Sequence, residues 1–266
     1  MADRPVSDTW ESGDPYEQYV GRWSRRVAPL FLDWLAVAPG RRWLDLGCGT
    51  GALSAAVLDH AAPSSVHGVE PSDGFRATAQ RNLGDRVQLH AGDALSIPLS
   101  DASVDVVVSS LVLNFVPDPR AALAEMARVT GVGGTLAAYV WDYAGRMELM
   151  RHFWDAAIAQ DPAATALDEG MRFPLCRADA LEALFANAGL RQVLVAPIDI
   201  STPFVDFDDY WQPFLGGQGP APAYAMSLAP ADRSALREAI RARLPTSSDG
   251  RIGLVARAWA VRGTVA

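Results

Sequence analysis

The chain has 266 residues, half of them hydrophobic and a fifth charged, enough to bury one large core, so a single α/β domain with insertions is expected. A formal charge of −8 and a pI near 5.0 provide no broad cationic surface for nucleic-acid phosphate or an anionic membrane. All 23 basic residues are Arg, and the absence of Lys excludes Schiff-base chemistry and a lysine clamp on phosphate.

Residues 1–14 are rich in Asp, Ser, Pro and Gly and read as a loose opening. Apolar positions Val20, Trp23, Val27, Phe31, Trp34 and Leu35 then keep helical spacing, and Pro29 is expected to break that stretch into two helices near Ala28. From 41 to 142, short β-branched runs alternate with helical segments, the pattern of crossover units feeding a parallel sheet. Strands are expected at 42–46, 65–70, 86–90, 104–109 and 134–141. Between them, Asp73 opens a helix that Gly84 ends, and Asp118 with Pro119 opens one that Gly131 ends. Residues 143–176 interrupt the alternation, which resumes with a helix near 178–188, closed by Gly189, and a strand near 191–199. A second interruption, 201–248, carries aromatic, Pro and Gly residues and an amphipathic helix near 230–243, before a last strand near 251–262. Ligands in open α/β sheets bind beyond the carboxyl ends of the strands, so specificity is expected in these two interruptions.

The strongest signal is Leu44-Asp45-Leu46-Gly47-Cys48-Gly49-Thr50-Gly51, at the junction of a strand and a helix. Glycines there permit a tight turn and close backbone approach to a ligand, and the helix start offers unpaired amides. Gly47, Gly49 and Ala52 also satisfy the loose dinucleotide pattern GxGxxA, but Asp45 before the first glycine would repel a pyrophosphate while it could hold an ammonium group.

LDLGCGTG resembles the first motif of the class I S-adenosylmethionine-dependent methyltransferases, and the likeness continues through most of the chain. In Val-His-Gly-Val-Glu-Pro, Glu70 stands where the family's acid accepts both ribose hydroxyls, with Pro71 next to it. In Ala91-Gly92-Asp93-Ala94, Asp93 stands where the family's Asp binds the adenine amino group and the next backbone amide meets the ring. Asp105 to Leu111 resembles the fourth-strand motif, whose end, Ser110 and Leu111, faces the methionine portion and the acceptor. Upstream, Tyr16-Glu17-Gln18-Tyr19-Val20-Gly21-Arg22-Trp23-Ser24 looks like the N-terminal lid of a bacterial small-molecule branch, in which a Tyr and an Arg, here Tyr16 and Arg22, reach the cofactor. The expected cofactor set is therefore Tyr16, Arg22, Asp45, Gly47, Cys48, Gly49, Glu70, Pro71, Gly92, Asp93, Ala94, Ser110 and Leu111, with S-adenosylhomocysteine as product. The implied fold is a Rossmann-like, seven-stranded, mostly parallel sheet flanked by helices. Residues 1–36 would form a helical lid, 37–142 the cofactor core, and 143–266 the remainder, with cap insertions after strands 5 and 6.

Leu113-Asn114-Phe115-Val116-Pro117 departs from the pattern: many small-molecule relatives carry two histidines where this chain has Asn114 and Phe115, and an NPPY-like motif is absent. Nucleobase methylation by that route is disfavoured. The expected acceptor is a small molecule, with aromatic compounds among the candidates and oligomeric state open. For a hydroxyl acceptor, candidate bases are His152, Tyr143 and Asp142. Tyr143, Phe153, Trp154, Tyr210, Trp211 and Phe214 either wall an acceptor cavity or pack a cap, and Asp206, Asp208 and Asp209 either draw a cation or start a helix. Two other readings stand beside methyl transfer: an NAD-dependent oxidoreductase and a noncatalytic cofactor-binding module.

Cys48 and Cys176 are too few for a disulfide framework, and His60, His67, His90 and His152 are scattered singly, so no metal site is expected. The start of the chain lacks a charged-then-apolar signal region, and no apolar run approaches the roughly 20 residues that cross a bilayer. A cytoplasmic protein is the expectation.

Overall fold

The computed structural model describes residues 20–216 and 219–266. They cluster into two compact units: Ser24–Trp141, Leu175–Ile198 and Ala258–Ala266 make up the first, and Asp142–Pro174 and Asp199–Arg257 with residues up to Trp23 the second. No helix among the described residues is long and apolar enough to cross a membrane.

The sheet is built from β1 (Arg42–Leu46), β2 (Ser65–Val69), β3 (Gln88–His90), β4 (Val104–Ser110), β5 (Thr130–Trp141), β6 (Arg191–Phe204) and β7 (Ile252–Thr264). Their order is β3-β2-β1-β4-β5-β7-β6. The pairs β1–β2, β2–β3, β1–β4 and β4–β5 are parallel, and β7 runs antiparallel to β5. β1 and β4 are buried at nearly every position because a parallel sheet is covered on both faces. The chain moves outward from β1 to β3 and then returns to place β4 on the other side of β1. That reversal is the switch point at which open sheets leave a crevice for a ligand.

Helix α1 (Arg22–Leu35) corrects the expected break at Pro29, since it runs through the proline without interruption. The proline costs one amide donor, and burial of Val27, Phe31 and Leu35 along one stripe holds the helix together through it. Helices α2 (Ala52–His60), α3 (Asp73–Leu83) and α4 (Pro119–Val129) connect the parallel strands. Ser72, one residue before the expected opener, caps α3 through Phe75, and Asp118 caps α4 through the amides of Arg120 and Ala121. Gly131 does not end α4: the Thr130 hydroxyl closes it on the Met126 carbonyl at 2.7 Å, and β5 begins at Thr130. The glycine-rich start of β5 absorbs a register shift opposite Val104 and Val106, which hides it from an alternation pattern.

The remaining helices are α5 (Glu148–Gln160), α6 (Glu169–Arg172), α7 (Ala178–Asn187), α8 (Phe207–Trp211), α9 (Pro220–Ser227) and α10 (Pro230–Arg241). Except for α7, they belong to the second unit, whose core is aromatic. Phe153 lies face to face with Phe214 at 4.6 Å and edge-on to Trp154 at 5.1 Å, and Tyr210 meets Phe214 at 5.4 Å while its hydroxyl donates to the Leu149 carbonyl. Phe153, Trp154, Tyr210, Trp211 and Phe214 are all buried, and these ring contacts pack the unit. The three acids are a helix start: Asp206 caps α8, Asp208 pairs with Arg237 and Asp209 with Arg22.

Candidate functional site

At the carboxyl end of β1 the chain turns sharply, and the turn is pinned to β2. The amides of Gly47 and Cys48 both donate to the Val69 carbonyl, at 2.8 and 3.1 Å, and Gly51 donates back to Cys48. Gly47 has φ +73°, and a Cβ there would lie 2.6 Å from Val112 Cγ2, so both strain and collision select glycine. Gly49 has φ +54° but faces open space, with no atom within 4 Å of a Cβ. Accordingly, Gly47→Ala is expected to lower the melting temperature. Gly49→Val meets no atom but strains the positive φ, so it should melt earlier while still folding and should block ligand titration; normal titration by a folded Gly49→Val chain would contradict close ligand approach.

Two carboxylates flank this turn. Asp45 is fully buried in β1; Ser54 donates to one of its oxygens at 2.7 Å, and its other oxygen, Oδ1, has no partner among the described residues. Burial pushes its carboxyl up to about 7, against the Ser54 hydrogen bond and helped by the charge of Glu70. Glu70 follows β2 and is also buried. One oxygen accepts the Ser72 amide at 2.9 Å and the other the Gly49 amide at 3.1 Å. Its carboxyl is raised by burial, with those two bonds and Arg76 pulling the other way.

A cleft of ≈ 320 Å³ opens beside these groups, within the lower range of small-ligand sites. Gly47, Pro71, Gly92, Asp93 and Ala94 of the expected set line it. Asp93 is exposed, and one of its oxygens shapes the loop by accepting the amides of Leu95 at 2.8 Å and Ser96 at 3.0 Å. Cys48 is buried, and burial raises its thiol, so it packs the turn and is no nucleophile. Ser110 ends β4, and Leu111 beyond it adopts φ +59°, its amide held by the Tyr139 carbonyl. A left-handed leucine stores strain where the strand leaves the sheet. Val112, Phe115, Val116 and Pro117 also line the cleft. In the sequence Phe115 stands out only as a departure from the histidine pair, and the one signal for its place in the wall is an apolar run just past a strand end. Nearby, the Asn114 side-chain amide is buried without a hydrogen-bond partner among the described residues.

Arg22, Tyr143 and His152 belong to the second unit. Arg22 donates to Asp209 at 2.9 Å and lies over the rings of Trp23 and Phe204, while its Nε and Nη2 are buried without partners among the described residues. Tyr143 is buried, 5.7 Å from the Phe173 ring. His152 is half-buried on α5; burial lowers its pKa, Glu148 and Asp155 oppose that, and Arg243 adds to it. Asp142 accepts the Arg146 amide. Tyr16 lies outside the described residues.

Residues 44–138 match the model of a methyltransferase domain family. A demethylmenaquinone methyltransferase of Renibacterium salmoninarum is 39% identical over 113 residues, 42% of this chain and 46% of that protein. This chain thus spans about half the length of the curated relatives it matches. Among solved structures, the YcgJ protein of Bacillus subtilis aligns over 90% of this chain and 97% of its own at 17% identity, with a TM-score of 0.56. Phosphoethanolamine N-methyltransferase 2 of Haemonchus contortus, solved with phosphomonomethylethanolamine and S-adenosylhomocysteine, aligns over 94% of this chain and 56% of its own at 15% identity, with a TM-score of 0.58. These structural likenesses establish the Rossmann-like methyltransferase fold.

Proposed function

We propose that this chain, which carries a class I S-adenosylmethionine-dependent methyltransferase domain over residues 44–138, transfers a methyl group to a small molecule. The observation that carries the reading is the pair of buried carboxylates, Asp45 with an open oxygen and Glu70, flanking one glycine turn. Glu70 suits the ribose hydroxyls of any nucleoside, whereas Asp45 at the turn repels a pyrophosphate and suits the ammonium of an amino-acid nucleoside, which disfavours NAD. When bound, S-adenosylmethionine supplies a methyl group already activated on a sulfonium. What remains for the protein is to align, to exclude water and, for a hydroxyl acceptor, to remove a proton.

In this reading Asp45 takes the ammonium, Glu70 the ribose, and Asp93 with Ala94 the adenine, while Ser110 and Leu111 border the methionine portion. Arg22, and Tyr16 with it, would meet the carboxylate end. The name carried by the curated relatives supports a small-molecule acceptor. His152 and Tyr143 are the proposed proton acceptors. Because burial lowers the His152 pKa, the ring is neutral near pH 7 and able to accept a proton. Turnover should fall as pH drops through that lowered value, and His152→Gln should lose most of the rate and its acidic limb while keeping cofactor affinity. An unchanged rate profile for His152→Gln would end its role as base.

The test of the function itself is a thermal-shift comparison followed by methyl transfer from isotopically labelled cofactor to a panel of amines, phenols and carboxylates. Stabilisation by S-adenosylhomocysteine and a labelled product are expected. Stabilisation by NAD alone would overturn the reading, and binding with no product across the panel would favour a noncatalytic module.

A further inference from the structure

His67 and His90 are 23 positions apart in the chain, yet the fold joins them: His67 Nδ1 and His90 Nε2 lie 3.1 Å apart. The ring centroids are 5.3 Å apart and the ring planes differ by 27°. That centroid separation is close to the N···N distance plus two ring radii, so the imidazoles meet end to end, in line, as one N–H···N hydrogen bond requires. Either ring can be the donor, according to tautomer.

The location gives the pair its consequence. β3 is an edge strand of three residues, paired only to β2, and His90 is its last rung, in register with Val69. One residue beyond Val69 is Glu70, whose amide donates to the His90 carbonyl. Beyond His90 begins the Ala91-Gly92-Asp93 loop of the cleft. The imidazole pair thus ties together the two strand ends that carry Glu70 and Asp93. We infer that the His67–His90 hydrogen bond is a positioning device that sets the spacing of the Glu70 and Asp93 sides of the cleft, and releases it when both rings are charged. The cofactor half of this inference rests on the function proposed above.

The chemistry of release is specific. A first added proton goes to the distal nitrogen of the donor ring and leaves an imidazolium–imidazole bond, which is charge-assisted and holds. A second proton takes the remaining lone pair, sets two N–H groups against each other and opens the pair. Burial disfavours both charges, and His90 further disfavours charge on His67. The neighbouring elements add little. On β1, Leu44 stands beside His67, Asp45 lies on the opposite pleat, and Arg42 is tied to Asp105. On α2, which packs on β2, Asp59 and His60 are exposed at its end. Gln88 is neutral.

The test compares the wild-type chain with His90→Leu, which breaks the bond, and with the double variant His67→Asn/His90→Gln, whose amides present polar atoms near the Nδ1 and Nε2 positions but do not titrate. Two readouts are taken between pH 8 and 4: amide hydrogen exchange at Glu70, Leu95 and Ser96 in the ligand-free chain, corrected for intrinsic rates, and S-adenosylhomocysteine affinity by titration. His90→Leu should speed exchange and weaken affinity by about tenfold at pH 7.5 without global unfolding, and the amide pair should restore both. In acid, exchange should rise more steeply in wild type than in the amide pair; Asp45 titrates in both chains, so the difference isolates the histidines. Wild-type exchange and affinity in His90→Leu would overturn the inference, as would identical acid profiles for wild type and the amide pair. The expected exchange pattern in a wild-type chain that binds no S-adenosylhomocysteine would support the positioning role and overturn the cofactor reading instead.

Discussion

Replacing Glu70 with Ala is expected to weaken S-adenosylhomocysteine binding by about ten- to a hundredfold in a calorimetric titration. A lost hydrogen bond to a charged group costs about 1.5 to 3 kcal/mol, and about 1.4 kcal/mol is a factor of ten in affinity. Glu70 has a second task, because its two oxygens hold the Ser72 and Gly49 amides and so shape the turn itself. The variant should therefore also melt earlier, since a buried amide without a partner costs on the order of 1 to 3 kcal/mol. Glu70→Gln keeps an acceptor for one amide, so it should fall between wild type and Ala in both measurements. Unchanged affinity in a folded Glu70→Ala chain would remove this residue from the ribose role.

Replacing Asp45 with Asn should move stability and binding in opposite directions. In the free chain the buried carboxyl is raised to about 7 from an ordinary value near 3.8. Below about pH 4 both folded and unfolded chains hold the proton and nothing is lost. As pH rises from there to 7, the unfolded chain gives up its proton while the folded chain retains it, so stability declines, and above 7 the cost is constant. A tenfold change in a proton-binding constant corresponds to about 1.4 kcal/mol, so Asp45→Asn, which cannot ionise and still offers Ser54 an acceptor, should gain on the order of 2 to 4 kcal/mol at pH 8. The same variant should bind S-adenosylhomocysteine at least about tenfold more weakly, having lost the charge that meets an ammonium group. In wild type, affinity should decline as pH falls through 7, because protonation of Asp45 competes with the ligand. Denaturant melts and titrations from pH 5 to 8 check both halves, and a less stable Asp45→Asn chain at pH 8 would show that the buried carboxylate carries no such cost.

Much of the site is legible in the sequence because its rules are local. Asp45 and three glycines lie within seven residues, and the strand that leads into them, β1, occupies the predicted 42–46. Glu70 and Asp93 follow successive strand ends, a spacing that crossover units impose. Asp105, at the start of β4, is a structural acid outside the expected cofactor set: Arg42 holds it at 2.7 to 3.2 Å and keeps its carboxyl down at about 2. Other features need partners from elsewhere in the chain. Pro29 breaks a helix by its local rule, but burial of Val27, Phe31 and Leu35 carries α1 through it. Gly131 looks like a helix stop, yet Thr130 closes α4 and pairing with β4 draws the glycines into β5. Among the aromatic residues of the interruptions, the contact of Phe153 with Phe214 joins segments far apart in the chain and leaves no local trace.

By itself, the sequence determined the alternation of strands and helices, the glycine turn with its acid, and the placing of Glu70 and Asp93 after successive strands. These follow from backbone sterics, capping and periodicity, which act over a few residues. Only the tertiary structure decided that Asp45 is buried with an open oxygen, that Glu70 shapes the turn it serves, and that His67 and His90 form one hydrogen-bonded pair. Burial and pairing depend on which distant segments the sheet brings side by side, and a linear pattern does not carry that information.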